Sequence, residues 1–558
     1  MRRSIIIVCL VCLNLALYAQ DGYLNINQID KSYSAPVLSV DSMWIAPNKT
    51  NVLFGIDGTC TAQFAAGKVE SVTLGAKTAN ASGFTTRHEI IQAISDYAIS
   101  DYTESKEPGY DEDLDDAADY YNDFGTKNAL NLTVTFNGNS ATATINSSDV
   151  TISKNGAHVT IVTKKKLKIT LKGSTDNGSL TILTPDGNSD NKKLWVVLNG
   201  VSITNPNGPA INIQSSKSVY VQLAKNTTST LQDGQTYTVQ TGVDQKGTLF
   251  SEGQLLFHGS GSLTVNSLGG HGICSDDYIR FRADLGTINI TSVKDGINTK
   301  DKFIMYGGNI DISSSSDGIV VRRGKLSLFG GKINMNCVDD GLVSDYTSSD
   351  TAGIVFAGGY TKISTTGPKG HAVSTTGAFT MTGGALEANV SGQASKCISA
   401  KTDITIQDGK LKLTAQGTSI YDQEEQEYSS AAGIRAQGNL NIKGGQIMIL
   451  STGAGSKGIN TNGTTSITGG TLYIDNQGTI FTDTNQNTVN ARALDTIKLI
   501  LEGNPAIYLN AATTSIHINT DLIMAGGEIY SYSGTEQSKS LNVKGNVIQT
   551  GGLLLYGK

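Results

Sequence analysis

Short runs in which apolar residues alternate with polar ones recur along most of the chain. Leu326-Ser327-Leu328 and Leu440-Asn441-Ile442 come before a pair of glycines, as does the wholly apolar Phe303-Ile304-Met305. Asn309-Ile310-Asp311-Ile312, Lys332-Ile333-Asn334-Met335 and Gln446-Ile447-Met448-Ile449 follow such a pair. A third segment closes each unit: Asp295-Gly296-Ile297, Asp317-Gly318-Ile319, Asp340-Gly341-Leu342 and Gly458-Ile459-Asn460. Period-two alternation over so few residues predicts strands rather than helices.

The glycine pairs set the period. Gly307-Gly308, Gly330-Gly331, Gly358-Gly359 and Gly383-Gly384 recur about every 23 to 28 residues. Gly444-Gly445, Gly469-Gly470, Gly526-Gly527 and Gly551-Gly552 continue the series, with an insertion at residues 419–430 and two degenerate turns before Gly526. Paired glycines suit corners that need positive φ. Three short strands per repeat predict one coil of a solenoid, whose coils bury their apolar faces only by stacking. The fold class expected is all-β, a right-handed parallel β-helix. A hairpin-built barrel lacks such a fixed repeat, and a propeller blade needs about 40 residues.

The repeat is clearest from Leu194-Trp195-Val196-Val197-Leu198-Asn199-Gly200-Val201 onward. Weaker strands in 131–190, such as Val159-Thr160-Ile161, form first coils or a cap, so the solenoid is expected over 131–558. Residues 20–130 form a smaller N-terminal region of mixed or β structure, with a helix expected over 86–98 and an acidic run at 111–123. That run reads as a solvated loop or as one that contacts a cation or sugar.

Residues 1–19 read as an export signal: Arg2 and Arg3, an apolar stretch, then cleavage after Ala19. A lipoprotein reading through Cys12 is weaker, because no small residue precedes that cysteine. The expected location is secreted or exposed on the cell envelope, without a transmembrane segment. The other cysteines, Cys60, Cys274, Cys337 and Cys397, lie far apart without metal-ligand spacing, and read as small buried hydrophobes. A net charge of −6 argues against a nucleic-acid partner. With 63 glycines, only 8 prolines and 16% charged residues, the composition fits many strands and corners rather than disorder.

Leu194 to Thr204, Gly259-Ser260-Gly261-Ser262-Leu263-Thr264-Val265-Asn266 and the repeated Asp-Gly-Ile segments carry a resemblance. Over roughly residues 131–475 the chain resembles a carbohydrate-binding β-helix family first described from a cellulose-degrading clostridium. Its members bind cellulose and acidic plant sugars, and its fold is related to that of calcium-dependent pectate lyases. The resemblance implies a non-catalytic, calcium-bearing β-helix that binds polysaccharide, expected as a monomer. Residues before 130 and, less clearly, after 475 fall outside it.

The chemistry expected lies in acids at equivalent repeat positions. Asp295, Asp317 and Asp339 or Asp340 fall on one corner of successive coils, and Asp276-Asp277, Asp301 and Asp345 lie a few residues beyond a corner. Coils stack about 4.8 Å apart, where two carboxylates repel by roughly 3 kcal/mol at an effective dielectric of 20. Calcium, which takes six to eight hard oxygen ligands, would relieve that repulsion. The candidate ligands are Asp277, Asp295, Asp301, Asp317, Asp339, Asp340 and Asp345. The plainer reading is that these aspartates cap corners and are neutralised by Lys294, Lys300 and Lys302. Two other function classes stay open: a polysaccharide lyase using Lys300 or Arg322 as base, and a surface adhesin whose solenoid is a spacer. His271 and His371 share one repeat position, Trp195 is expected in the core, and the insertion bracketed by Tyr421 and Tyr428 is expected as a projecting loop.

Overall fold

Alternation along the strands produces the core directly. In Asn309–Ser314 and Lys332–Cys337 every second residue is buried, and the inward side chains of successive coils stack on one another. The computed structural model describes residues 22–47, 49–103, 129–184, 193–216, 218–346, 352–534 and 539–558. The expected export signal and the acidic run at 111–123 lie outside the described residues. The chain is a parallel β-solenoid of about 15 turns.

Each coil supplies one strand to each of three sheets. Sheet I contains His271–Ser275, Ile297–Thr299, Ile319–Val321, Leu342–Ser344, Val373–Thr375, Lys396–Ala400 and Ala432–Ala436, paired in parallel in that order. Sheet II contains Phe303–Met305, Lys325–Leu328 and Gly353–Phe356. Sheet III contains Asn309–Ser314, Lys332–Cys337 and Tyr360–Thr365. The same inward position of sheet I holds Ile273, Ile297, Ile319, Leu342, Val373 and Ile398, all fully buried. Burial of one such side chain contributes about 1.5–3 kcal/mol, an upper figure because the unfolded chain is already partly compact. Phe257, Phe281 and Phe303 form an edge-to-face stack in sheet II with centroids 5.2 Å apart.

The two glycine signals have different causes. Gly331, in the corner between sheets II and III, has φ +80°, and an added Cβ would lie 2.7 Å from the Gly308 carbonyl oxygen of the coil below. Gly318 of Asp-Gly-Ile has no unusual φ; its Cβ would lie 2.5 Å from the Gly341 carbonyl oxygen and the Met335 sulfur. Close stacking, not turn geometry, excludes a side chain there.

Parallel pairing begins upstream of Leu194. Leu167–Thr175 pairs with both Leu130–Asn137 and Leu194–Thr204, while two antiparallel hairpins finish this end. The N-terminal region closes the other end. Its strands Val40–Ile45, Asn51–Ile56 and Cys60–Ala65 form a meander whose last strand pairs antiparallel with Leu553–Gly557. Both ends therefore avoid a bare parallel edge open to further pairing. The helix Arg87–Asp96 carries a capping box from Thr86 and Glu89. Its Ile90 and Ile94 join a core cluster with Met448, Tyr530 and Tyr532 on the outer side of sheet III.

Two side-chain expectations change. Trp195 is 2% exposed but points outward from the solenoid, stacked on Tyr220 at 5.2 Å in a small separate cluster. The insertion at 419–430 is a two-stranded hairpin, Ile420–Asp422 with Glu427–Ser429. Cys274, Cys337 and Cys397 are buried as expected, and Cys60 is partly exposed.

Candidate functional site

The outer surface of sheet I carries three columns of side chains, set by the strand register; the middle one runs Asn298, Val320, Val343, Ser374, Ser399, Arg435 and Asn460. The upstream column runs Gly247, His271, Asp295, Asp317, Asp340, His371, Lys396, Ala432, Lys457 and Arg492. His271 and His371 do share a position, at the two ends of the aspartates. The downstream column, one residue beyond each strand, runs Glu252, Asp276, Lys300, Arg322, Asp345, Thr376, Lys401 and Gln437. Two clefts lie between these columns.

The first cleft, of 460 Å³, is lined by His271, Asp295, Ser316, Asp317, Arg322 and Asp345 among others. Asp295 is saturated: it accepts from Asn298 Nδ2 at 2.6 Å and Ser316 Oγ at 3.0 Å, with His271 Nδ1 at 3.3 Å. Burial alone would raise its pKa, but these partners outweigh burial and hold it below the ordinary carboxylate range. Asp317 and Asp340 each accept a backbone N–H from the next coil, Asp340 N at 2.8 Å and His371 N at 2.5 Å. Asp340 also has a hydrogen bond from the Ser374 side chain, yet in neither case do these bonds offset the cost of charge. Burial, then the charge of Asp295, pushes Asp317 up to about 6. Burial, then the charges of Asp317 and Asp339, pushes Asp340 up to about 7.

The expected ligands divide accordingly. Asp295, Asp317 and Asp340 stand in one column, and Asp345 faces them from the downstream column. Asp339 is exposed on the adjoining corner, with its pKa raised by burial and by Asp295. Asp277 and Asp301 are stacked on each other at the corner after sheet I, where the Asp301 N–H donates to the Asp277 carbonyl oxygen. Lys300 and Arg322 interrupt the acids of the downstream column, and Arg322 Nε donates to Asn298 Oδ1 at 2.9 Å.

The structure also gathers Asp276, noted in the sequence beyond a corner, with two acids the sequence reading passed over. Asp244, Glu252 and Asp276 each present an oxygen within 4.8 Å of the others. Lys246 lies against Asp276 and 2.8 Å from Asp244. Burial and the two neighbouring carboxylates raise the pKa of Glu252. Glu252 and Asp276 follow equivalent strands, a signal present in the repeat; Asp244 arrives from an irregular loop and left none.

The second cleft, of 360 Å³, continues along the same face and shares Val343 and Asp345 with the first. Its floor holds His371, Lys396, Lys401 and Arg435, and its roof is the hairpin with Glu425, Glu427 and Tyr428. Lys396, 9% exposed, donates to Ser429 Oγ of the hairpin at 2.8 Å. Burial, then the charge of Arg435, lowers its pKa to about 8. Burial, with Lys396 and Lys369, holds the His371 imidazole well below the ordinary histidine range. Its Nδ1 accepts the Lys396 N–H at 3.1 Å, which leaves the proton of the neutral ring on Nε2.

The two clefts follow one another along the sheet I face, across successive coils of the solenoid. The chain belongs to the family of carbohydrate-binding domain-containing proteins, whose model matches residues 146–376 and 369–479, more than half of the sequence and both clefts. A solved structure of a polysaccharide lyase-like protein from C. thermocellum, a gadolinium derivative, is 20% identical to this chain. It covers 50% of this chain and 97% of its own, with a TM-score of 0.38. No curated protein matches. No described helix is long and apolar enough to cross a membrane.

Proposed function

We propose that the chain is a secreted, non-catalytic polysaccharide-binding protein that holds a glycan along the outer surface of sheet I, with calcium assisting at the acid-rich cleft. The observation that carries the reading is the continuity of the two clefts across successive coils, which suits a polymer lying along the solenoid axis. Family membership agrees with it.

The residues fit a hard divalent cation. Asp317 and Asp340 are half-buried acids whose mutual repulsion a cation would discharge, and Asp345 lies across the same cleft. Asp295, already saturated, would orient its neighbours. The Asp244–Glu252–Asp276 trio fits less well, since Lys246 neutralises it and would have to be displaced. Calcium there would supply charge and coordination for sugar oxygens.

Affinity electrophoresis of the full chain through several glycans, with calcium and then with a chelator, tests the reading. Retardation that weakens on chelation, without release of unsaturated products absorbing in the ultraviolet, is the expected result. Equal mobility in every glycan would remove it.

A further inference from the structure

The acid-rich cleft accounts for calcium but leaves the second cleft with a problem of the opposite sign. Lys396 lies on the floor of that cleft, and Arg435 follows in the next coil, one column over, where Ser399 pairs with it in register. Arg435 acts on Lys396 as a like charge, on top of burial. Burial also lowers Arg435. Among the described residues, none of the ion pairs includes Lys396, Lys401 or Arg435, although paired cations occur on either side at Lys369–Asp422 and Arg492–Asp495. Lys396 bonds only to a hydroxyl, and Arg435 only to the Asn462 side-chain oxygen and the Ala436 carbonyl. Glu425 and Glu427 are exposed on the hairpin and act from a distance.

Lys396 is buried and Arg435 half-buried, and a cation so placed without a carboxylate in ion-pair contact is costly unless an anion reaches it. Charge-assisted bonds from lysine and arginine to an oxyanion are about twice as strong as neutral ones.

We propose that the hairpin-roofed cleft is an oxyanion subsite, in which Lys396, Arg435 and Lys401 receive a carboxylate or sulfate group carried by a glycan. This rests on the polysaccharide reading and deepens it by naming the ligand as anionic at this point. The subsite needs no calcium, so it divides one binding face into a cation-bridged half and a directly ion-paired half.

The test is affinity electrophoresis of the full chain through polygalacturonate, a sulfated galactan and an uncharged galactan, in chelator. Lys396→Met and Arg435→Gln should each weaken retention by at least tenfold in whichever anionic polymer the wild type binds, and leave the uncharged galactan unchanged. The polymer that responds identifies carboxylate or sulfate as the group. Glu427→Gln, on the exposed hairpin and remote from the core, should strengthen the same retention about two- to threefold. That opposite sign separates the subsite from a folding defect in the buried variants. Unchanged retention of the anionic polymers by all three variants overturns the subsite and leaves polysaccharide binding standing. Failure of the wild type to bind any of the three, with or without calcium, removes both.

Discussion

The two halves of the sheet I face are built from the same strand register and solve opposite electrostatic problems. In the coils from Asp295 to Asp345 the upstream column is acidic, and two of its carboxyls are pushed up to about 6 and about 7. In the coils from His371 to Lys457 the same column is cationic or neutral, and Lys396 and Lys457 are both pulled down to about 8 by burial before any neighbouring charge. Stacking forces equivalent side chains into proximity whatever their charge. What differs is compensation: backbone N–H groups and His271 serve the acids, whereas a hairpin inserted between coils shelters the bases. A repeat fold can thus carry two ligand chemistries on one surface, because the column is inherited from the fold and the charge is chosen coil by coil.

The sharpest way to break this contrast is pH. Asp317 and Asp340 have folded pKa values above the ordinary 3.9 of the unfolded chain, so the native state holds more protons between about pH 4 and 7. Their stabilising contribution is full below about pH 4 and is lost as pH rises through 6 and 7, roughly 7 kcal/mol if the two groups were independent and less for this coupled, partly exposed pair. Melting in chelator should therefore show a fall in Tm from pH 5 to pH 8 that added calcium reverses. Asp317→Asn/Asp340→Asn keeps an oxygen for each backbone N–H and should flatten both the fall and the calcium response. A calcium response that survives the double substitution would place the ion elsewhere, and the Asp244–Glu252–Asp276 trio would be the next to test.

Gly318→Ala should come next, at a cost of about 1–3 kcal/mol, because its methyl meets a carbonyl oxygen and a sulfur at 2.5 Å. The same position holds Ala372 and Cys397 in the cationic half, both fully buried. Ala372→Gly should cost under about 1 kcal/mol. Urea unfolding of the two variants would show whether the acidic half is the more tightly stacked.

Lys396→Met should have a smaller effect of opposite sign. The wild-type lysine loses its proton near pH 8 in the fold but near 10.4 unfolded, so stability should rise between those values by about 1–2 kcal/mol. The variant should lose that slope and be at least as stable as the wild type at pH 7, by the same melts. Smallest of all, Arg322→Gln should cost under about 1 kcal/mol, since the guanidinium is largely exposed and 3.9 Å from Asp295.

Much of this was legible in one dimension. The glycine pairs mark corners because positive φ is a local demand: Gly308, Gly331, Gly359 and Gly384 all have it. The Asp-Gly-Ile spacing announced the acidic column, since equal spacing in a solenoid becomes adjacency. Lys396 and Arg435 gave no such signal. The insertion at 419–430 breaks the count between their coils, and they occupy different columns, two residues before and one residue after the inward isoleucine.

The sequence by itself determined the coil, its three strands, its corners and the side of each strand that faces inward, because all of these follow from residue-to-residue alternation and backbone preference. Only the tertiary structure decided which loops fold back over the face, which charges find a partner, and that Cys60–Ala65 pairs with Leu553–Gly557 at the far end of the chain. Those depend on contacts between segments with no common period, and periodicity along a chain carries no information about them.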